Sequence, residues 1–375
     1  MSLPPPLVPP TALAHYRVLS PTAGVRVSPL QLGAMSIGDK WAKAGMGSMD
    51  KESSFKLLDA YFDAGGNFID TANAYQEESS EEFIGEWTEA RGIRDQLYSA
   101  SYKRSDPHAT VRANYVANSA KALYVSVEDS LKKLRTNYID ILYIHWWDYE
   151  TSIPEVMGHL HNLVAERKVI YLGASDTPAW VVAKANQWAR DHGKTPFSIY
   201  QGQWNVLKRS FEREIIPMAR LALAPWDVLA AGRIRTDAEE EARRQSGEKG
   251  RTVFQPDWER NADERAMSHA LEKVAKEVGA KTIQAVAIAY LLHKTPYVFP
   301  IVGGRKIEHL HANIEALSIA LSKEQIAYLE SILPFDPGFP SSMIGDGTYN
   351  NRFIQGTGRF DHMPLLQPIK PEPKN

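Results

Sequence analysis

Eight short apolar runs, each followed by an amphipathic stretch, constrain this chain more than any other feature. The runs are Leu30–Met35, Asn67–Thr71, Leu97–Tyr102, Tyr138–His145, Val169–Ala174, Ser198–Gln203, Leu221–Leu229 and Val298–Val302. Helical periodicity fills the gaps over Lys51–Ala64, Ser80–Ala90, Val116–Leu134, Ile153–Arg167, Pro178–Asp191, Phe211–Arg220, Met267–Val278, Thr282–His293 and Ile307–Ala316. Strands that alternate with helices build βαβ units and a parallel sheet. Eight such units predict an α/β chain closed as a (β/α)8 barrel of the TIM type.

Side-chain alternation sharpens the expectation. Leu97, Ser99, Ser101 and Lys103 share one strand face, which is mostly small, as a crowded barrel interior requires. Ile139, Ile141, Tyr143 and His145 share a face in the fourth run. Three segments fall outside the repeat. Residues 16–29 read as a β-hairpin placed to plug the barrel bottom. Residues 232–266 read as a long polar loop after the seventh strand, and loops of that length are usually functional or disordered. Residues 334–375 read as a non-helical tail whose Phe335, Phe339, Tyr349, Phe353 and Phe360 either cover a pocket or seal the barrel surface. The expectation is one domain over residues 1–375, with the barrel at about 25–333.

Composition excludes several classes. The 375 residues carry a net charge of −2, which favours neither nucleic acid nor an anionic membrane. There are no cysteines, so disulfides, thiolate metal sites and cysteine nucleophiles are excluded. Met1-Ser2-Leu3-Pro4-Pro5-Pro6 lacks the pattern of a secretory signal. The apolar stretch Ala285–Leu292 is far shorter than the roughly 20 residues a bilayer needs. These features predict a soluble, cytoplasmic protein; its expected partner is a small molecule, and its expected state a monomer or small homo-oligomer.

Four polar residues sit at or just past the ends of the apolar runs: Asp70, Tyr75, Lys103 and His145. In a parallel barrel those ends converge on one mouth, where active sites lie. Tyrosine titrates near 10 and is a poor acid at neutral pH. A neighbouring lysine favours its phenolate and eases proton release. A carboxylate keeps that lysine charged, and an imidazole can orient a substrate oxygen. Tyr75 then protonates a carbonyl oxygen as a hydride reaches its carbon. No side chain supplies a hydride, so a nicotinamide must.

Asn67-Phe68-Ile69-Asp70-Thr71-Ala72-Asn73-Ala74-Tyr75, then Lys103, then Tyr143-Ile144-His145-Trp146-Trp147-Asp148, resembles the aldo-keto reductase superfamily. The resemblance covers roughly residues 25–333. Within it, the chain is most similar to the fungal aryl-alcohol dehydrogenases and the norsolorinic-acid-reductase-like enzymes. This implies a barrel that uses NADP(H) without a Rossmann domain, with Asp70, Tyr75, Lys103 and His145 as the catalytic tetrad. It implies reversible reduction of aromatic or polyketide-like aldehydes and ketones. It further implies that Ser175, Asp176 and Gln201 face the nicotinamide carboxamide and that Trp226 stacks on the ring. Asp176 departs from the family's usual Asn and replaces an amide donor with a carboxylate.

Val302-Gly303-Gly304-Arg305-Lys306 follows the eighth strand and opens a helix. A helix N-terminus with flexible glycines suits a phosphate, and Arg305 and Lys306 add positive charge for a 2′-phosphate. The resemblance implies the same role, with His309 and Asn313 near the adenosine. His159/His161 and His309/His311 look like metal pairs, but residues i and i+2 diverge on a helix, and no metal is expected. Trp41, Trp146 and Trp147 suit an aromatic-lined pocket. Two other functions stay open at this level. One is a nucleotide-sensing regulatory subunit of the same fold with slow turnover. The other is a barrel hydrolase using Asp148 and Asp227.

Overall fold

The computed structural model describes residues 8–44, 47–96, 101–102, 116–219, 221–247, 257–349, 351–361 and 363–371. The chain opens with an antiparallel hairpin, β1 (Arg17–Ser20) and β2 (Ala23–Val27). Its turn is tight, with Ser20 paired to Ala23 across Pro21-Thr22. Eight parallel strands follow: β3 (Gln31–Gly33), β4 (Ile69–Asp70), β5 (Ser101–Tyr102), β6 (Ile139–Ile144), β7 (Val169–Ser175), β8 (Phe197–Gln203), β9 (Ala222–Trp226) and β10 (Ile301–Val302). They form two arcs, β10-β3-β4 and β5-β6-β7-β8-β9. The arcs meet where Leu223 bridges Val298 in parallel, so the order runs around a (β/α)8 barrel.

The helices are α1 (Lys51–Asp63), α2 (Ser79–Arg91), α3 (Ala120–Lys133), α4 (Ile153–Ala165), α5 (Ala179–Asp191), α6 (Phe211–Met218), α7 (Asp237–Ser246), α8 (Ala262–Val278), α9 (Ile283–Lys294), α10 (Ile307–Ile314) and α11 (Lys323–Ile332). Most start at a side-chain cap: Asp50, Ser119, Ser152 and Thr282 each accept from a backbone N–H in the first turn. α9 is buried on all sides, as its continuous apolar sequence requires.

The hairpin does plug one end of the barrel. Leu19, Ala23 and Val27 pack in a single cluster with Phe68, Ile141, Tyr143, Ile199, Ala222 and Phe299. Phe68, Ala222 and Phe299 lie at the N-terminal ends of the strands, opposite the mouth, while Ile141 and Tyr143 carry the cluster up through the barrel interior. The tight fit shows at Gly173, where an added Cβ would lie 2.4 Å from the Tyr143 ring.

Three expectations need correction. The segment after β9 is not a continuous loop. α7 occupies Asp237–Ser246, and α8 starts at Ala262, five residues before the expected Met267. Both starts are capping boxes, Thr236 with Glu239 and Asn261 with Glu264. α7 carries acids in its first turn and Arg243 and Arg244 in its last, which complements its dipole. Second, the tail contains short helical turns at Ser341–Ile344 and Arg352–Gln355. Phe335 packs between the guanidinium groups of Arg209 and Arg213. Phe339, Tyr349, Phe353 and Phe360 are each more than half exposed. The seventh run also stops early, at Trp226, because Asp227 takes a left-handed backbone (φ 59°).

Candidate active site

The parallel register gathers the expected residues on one rim. Asp70 ends β4 and pairs with Gly33. His145 is the first residue past β6, Ser175 ends β7 opposite Gln201 of β8, and Trp226 ends β9 opposite Gln203. Gly303 is the first residue past β10. The pairing of β5 with β6 ends at Tyr102 with Ile144. Lys103, the next residue, lies outside the described residues.

Tyr75 sits in the turn after β4, half-buried. Its ring lies between two others. The Trp41 centroid is 6.1 Å away with planes at 68°, and the His145 centroid is 6.3 Å away at 89°. Trp146 in turn meets His145 edge-on at 5.5 Å. A phenol and an imidazole are therefore adjacent in an aromatic setting that still admits solvent, which suits a group that gives up and regains a proton.

Asp70 is only 5% exposed. Burial pushes its carboxyl up to about 6, opposed by a hydrogen bond from Gln201, whose Nε2 donates to Oδ1 at 2.9 Å. The sequence did not suggest this pairing. Below them, Tyr143 is fully enclosed in the barrel, and burial followed by the Asp70 charge drives its phenol well above the ordinary value. A carboxylate, an amide and a phenol are thus stacked beneath the mouth.

At the adjoining rim, Trp226 Nε1 donates to Asp176 Oδ1 at 3.2 Å. Asp176 has a left-handed backbone (φ 41°). Its carboxyl keeps contact with solvent, but crowding by surrounding protein raises it to about 6 against the hydrogen bonds from Trp226 and Ser175. The carboxylate that replaces the usual Asn therefore has a partner of its own, the indole.

The β10–α10 junction differs in character. Lys306 is the N-cap of α10 and makes no side-chain capping bond. Gly303, Arg305, Lys306 and His309 are exposed, and nothing lies within 4 Å of a Cβ added at Gly303. Uncapped first-turn N–H groups with two cations beside them form an anion cradle. Asn313, two turns along, is buried.

Asp148 and Asp227 both build loops. Asp148 accepts from the backbone N–H groups of Asn118, Glu150 and Thr151 and from the Thr151 hydroxyl. Asp227 accepts from Gln203 Nε2 at 2.8 Å. Neither is left as a hydrolytic acid or base. No group of three metal-ligating side chains occurs among the described residues.

Sequence reasoning missed Gln76, which is fully buried beside Tyr75. It also missed Glu240, a buried carboxylate that receives hydrogen bonds from Arg235, Arg260 and Arg265 and ties the two ends of the segment after β9 together. Arg233 adds a second buried tie, to Glu264 at 3.2 Å.

A model of the Aldo/keto reductase family matches residues 29–334. The chain is 60% identical to an aryl-alcohol dehydrogenase (NADP+) of Phanerodontia chrysosporium, over 97% of each chain. It is 54% identical to the aldo-keto reductase ausK of Emericella nidulans, over 90% of this chain and 86% of that one. It is 51% identical to norsolorinic acid reductase B of Dothistroma septosporum, over 88% and 84% respectively.

Proposed function

We propose that this chain, which belongs to the aldo/keto reductase family, is an NADP(H)-dependent enzyme that reversibly reduces aromatic or polyketide-like aldehydes and ketones to alcohols. The observation that carries the reading is the half-buried Tyr75 phenol, set against His145 at the mouth with the buried Asp70 below.

The chain's residues fit the cofactor. Gly303, Gly304, Arg305 and Lys306 would hold its phosphates at the uncapped start of α10, with His309 and Asn313 toward the adenosine. Ser175, Asp176 and Gln201 would face the carboxamide, and Trp226 the ring. Asp176, already accepting from the Trp226 indole, also orients that ring. When bound, the cofactor supplies the hydride to the carbonyl carbon. Tyr75 hands its phenolic proton to the carbonyl oxygen, which completes the alcohol. His145 orients that oxygen by hydrogen bonding. Lys103 and Asp70, assigned by motif, ease proton loss from Tyr75, and solvent at the half-open mouth restores the proton.

We assign the enzyme to the cytoplasm, as a monomer or small homo-oligomer. No described helix is long and apolar enough to cross a membrane.

The test is turnover of benzaldehyde by the purified protein with NADPH or NADH, followed by loss of reduced-nicotinamide absorbance. The expected result is steady turnover with NADPH preferred by tenfold or more, about 1.4 kcal/mol. Tight NADPH binding without turnover on any aromatic carbonyl would overturn the reading in favour of a nucleotide-sensing subunit.

A further inference from the structure

Gln76 directly follows the proton donor and has no solvent exposure. Its amide is used at both ends. Nε2 donates to the carbonyl oxygens of Met35 at 2.9 Å and Gly47 at 2.8 Å, while Oε1 accepts from the backbone N–H of Trp41 at 2.8 Å. Those three partners span the loop that leads from β3 to α1. One side chain therefore bonds that loop near its start, its middle and its end.

The backbone is bent to make this possible. Gln76, Glu77 and Glu78 are left-handed in succession (φ 53°, 49° and 82°). Such conformations persist in residues other than glycine only where the surroundings over-determine them. The surroundings here do so. Gly38 (φ 119°) passes so close that an added Cβ would lie 2.5 Å from Gln76 Cβ. Ser79 Oγ donates to the Gln76 carbonyl at 2.9 Å. Lys133 pairs with Glu78 at 3.5 Å and donates to the Asn73 carbonyl at 3.2 Å.

The nearest substitutes in size or shape would not serve in this place. Glutamate would set a carboxylate against two carbonyl oxygens. Leucine would leave the Met35 and Gly47 carbonyls and the Trp41 N–H unmatched, and buried polar groups are costly when unpaired. Asparagine is one methylene short.

What the clamped loop presents is Trp41, edge-on to the Tyr75 ring. We propose that Gln76 is a positioning residue: by bonding Met35, Trp41 and Gly47 it fixes Trp41 as a rigid aromatic wall beside the proton donor, and this wall selects flat aromatic carbonyls over aliphatic ones. The inference rests on the reductase reading above. A fixed ring favours a planar substrate because stacking and edge contacts depend on geometry, whereas a mobile ring must first be ordered at an entropic cost.

The experiment compares kcat and KM for benzaldehyde and butyraldehyde in the wild type, Gln76→Leu, Trp41→Ala and the double variant, with NADPH affinity measured in each. In Gln76→Leu the preference for benzaldehyde should fall about tenfold, mainly through KM for the aldehyde at saturating NADPH, since Gly47 also borders Arg305 and a change in NADPH affinity would bear equally on both aldehydes. The double variant should match Trp41→Ala, since two residues acting through one wall are not additive. Equal losses on both aldehydes, or additive losses in the double variant, would overturn the inference. Should Gln76→Leu fail to fold, Gly38→Ala and Gln76→Glu disturb the same clamp, and an unchanged substrate preference in both would overturn it equally. A wild type inactive on both aldehydes sinks the reductase reading instead, so the two failures are distinct.

Discussion

The two sides of the mouth are built by opposite means. Around Tyr75 the described groups hold the donor among themselves: a buried amide, three left-handed residues and neighbouring rings. At the start of α10 the polar groups face outward, the helix is uncapped, and the cations Arg305 and Lys306 are exposed. The difference matches two tasks. Proton transfer needs geometry held within fractions of an ångström, and that is best pre-organised. Phosphate capture needs charge and reach, and the ligand itself can order the site.

The strongest attack on this contrast is Tyr75→Phe. It keeps the ring and removes the proton. Turnover should fall by about 10²- to 10⁴-fold, the usual contribution of a general acid, while NADPH binding measured by tryptophan fluorescence stays constant. Loss of both would mean the sides are not separable.

Glu240→Gln tests whether rigidity is confined to the Tyr75 side. Burial alone would raise this carboxyl, yet hydrogen bonds from Arg260, Arg235 and Arg265 hold it at about 2. Leaving three arginines without its charge should cost about 3–5 kcal/mol of stability, read by urea denaturation. The pH dependence follows from the depressed value. The contribution is fully present above the ordinary glutamate range and disappears as pH falls from about 4.5 through about 2. Acid titration of the wild type should show this loss, and the variant should not.

Arg305→Ala should weaken NADPH by about 10- to 100-fold, corresponding to a charged hydrogen bond of about 1.5–3 kcal/mol. NADH binding and kcat at saturating cofactor should be nearly unaffected. An equal effect on NADH would remove Arg305 from 2′-phosphate recognition.

The smallest effect is expected from Asp176→Asn. The wild-type indole should report a titration near pH 6, as the carboxyl that accepts from Trp226 gains its proton. Asn should abolish that step in the fluorescence and leave activity within a few-fold. A step that survives the substitution belongs to another group.

What could be read from the sequence follows from what kind of signal each residue carries. Asp70 and His145 were visible because the ends of apolar runs are visible, and period-two alternation placed Tyr143 and Ile141 inside. Gln76 was invisible. Its type is unremarkable, and its partners lie 29, 35 and 41 positions away, joined only by the closed barrel. α7 and α11 are different: their capping boxes, Thr236 with Glu239 and Ser322 with Gln325, were present in the sequence. In α7 the charge density read as loop, because its stabilisation comes from buried arginine pairs that no periodicity announces.

The hairpin that fills the barrel bottom has a practical side. Thr11 Oγ1 donates to the Ala64 carbonyl at the base of α1, so the described chain begins on the face opposite the catalytic rim, with Val8 to Pro10 exposed. A protein anchored to a bead or an electrode through a linker near residue 8 would stand with its mouth turned outward. Immobilisation from that end should leave substrate traffic unobstructed, whereas attachment near α10 would set the support against the cofactor cradle.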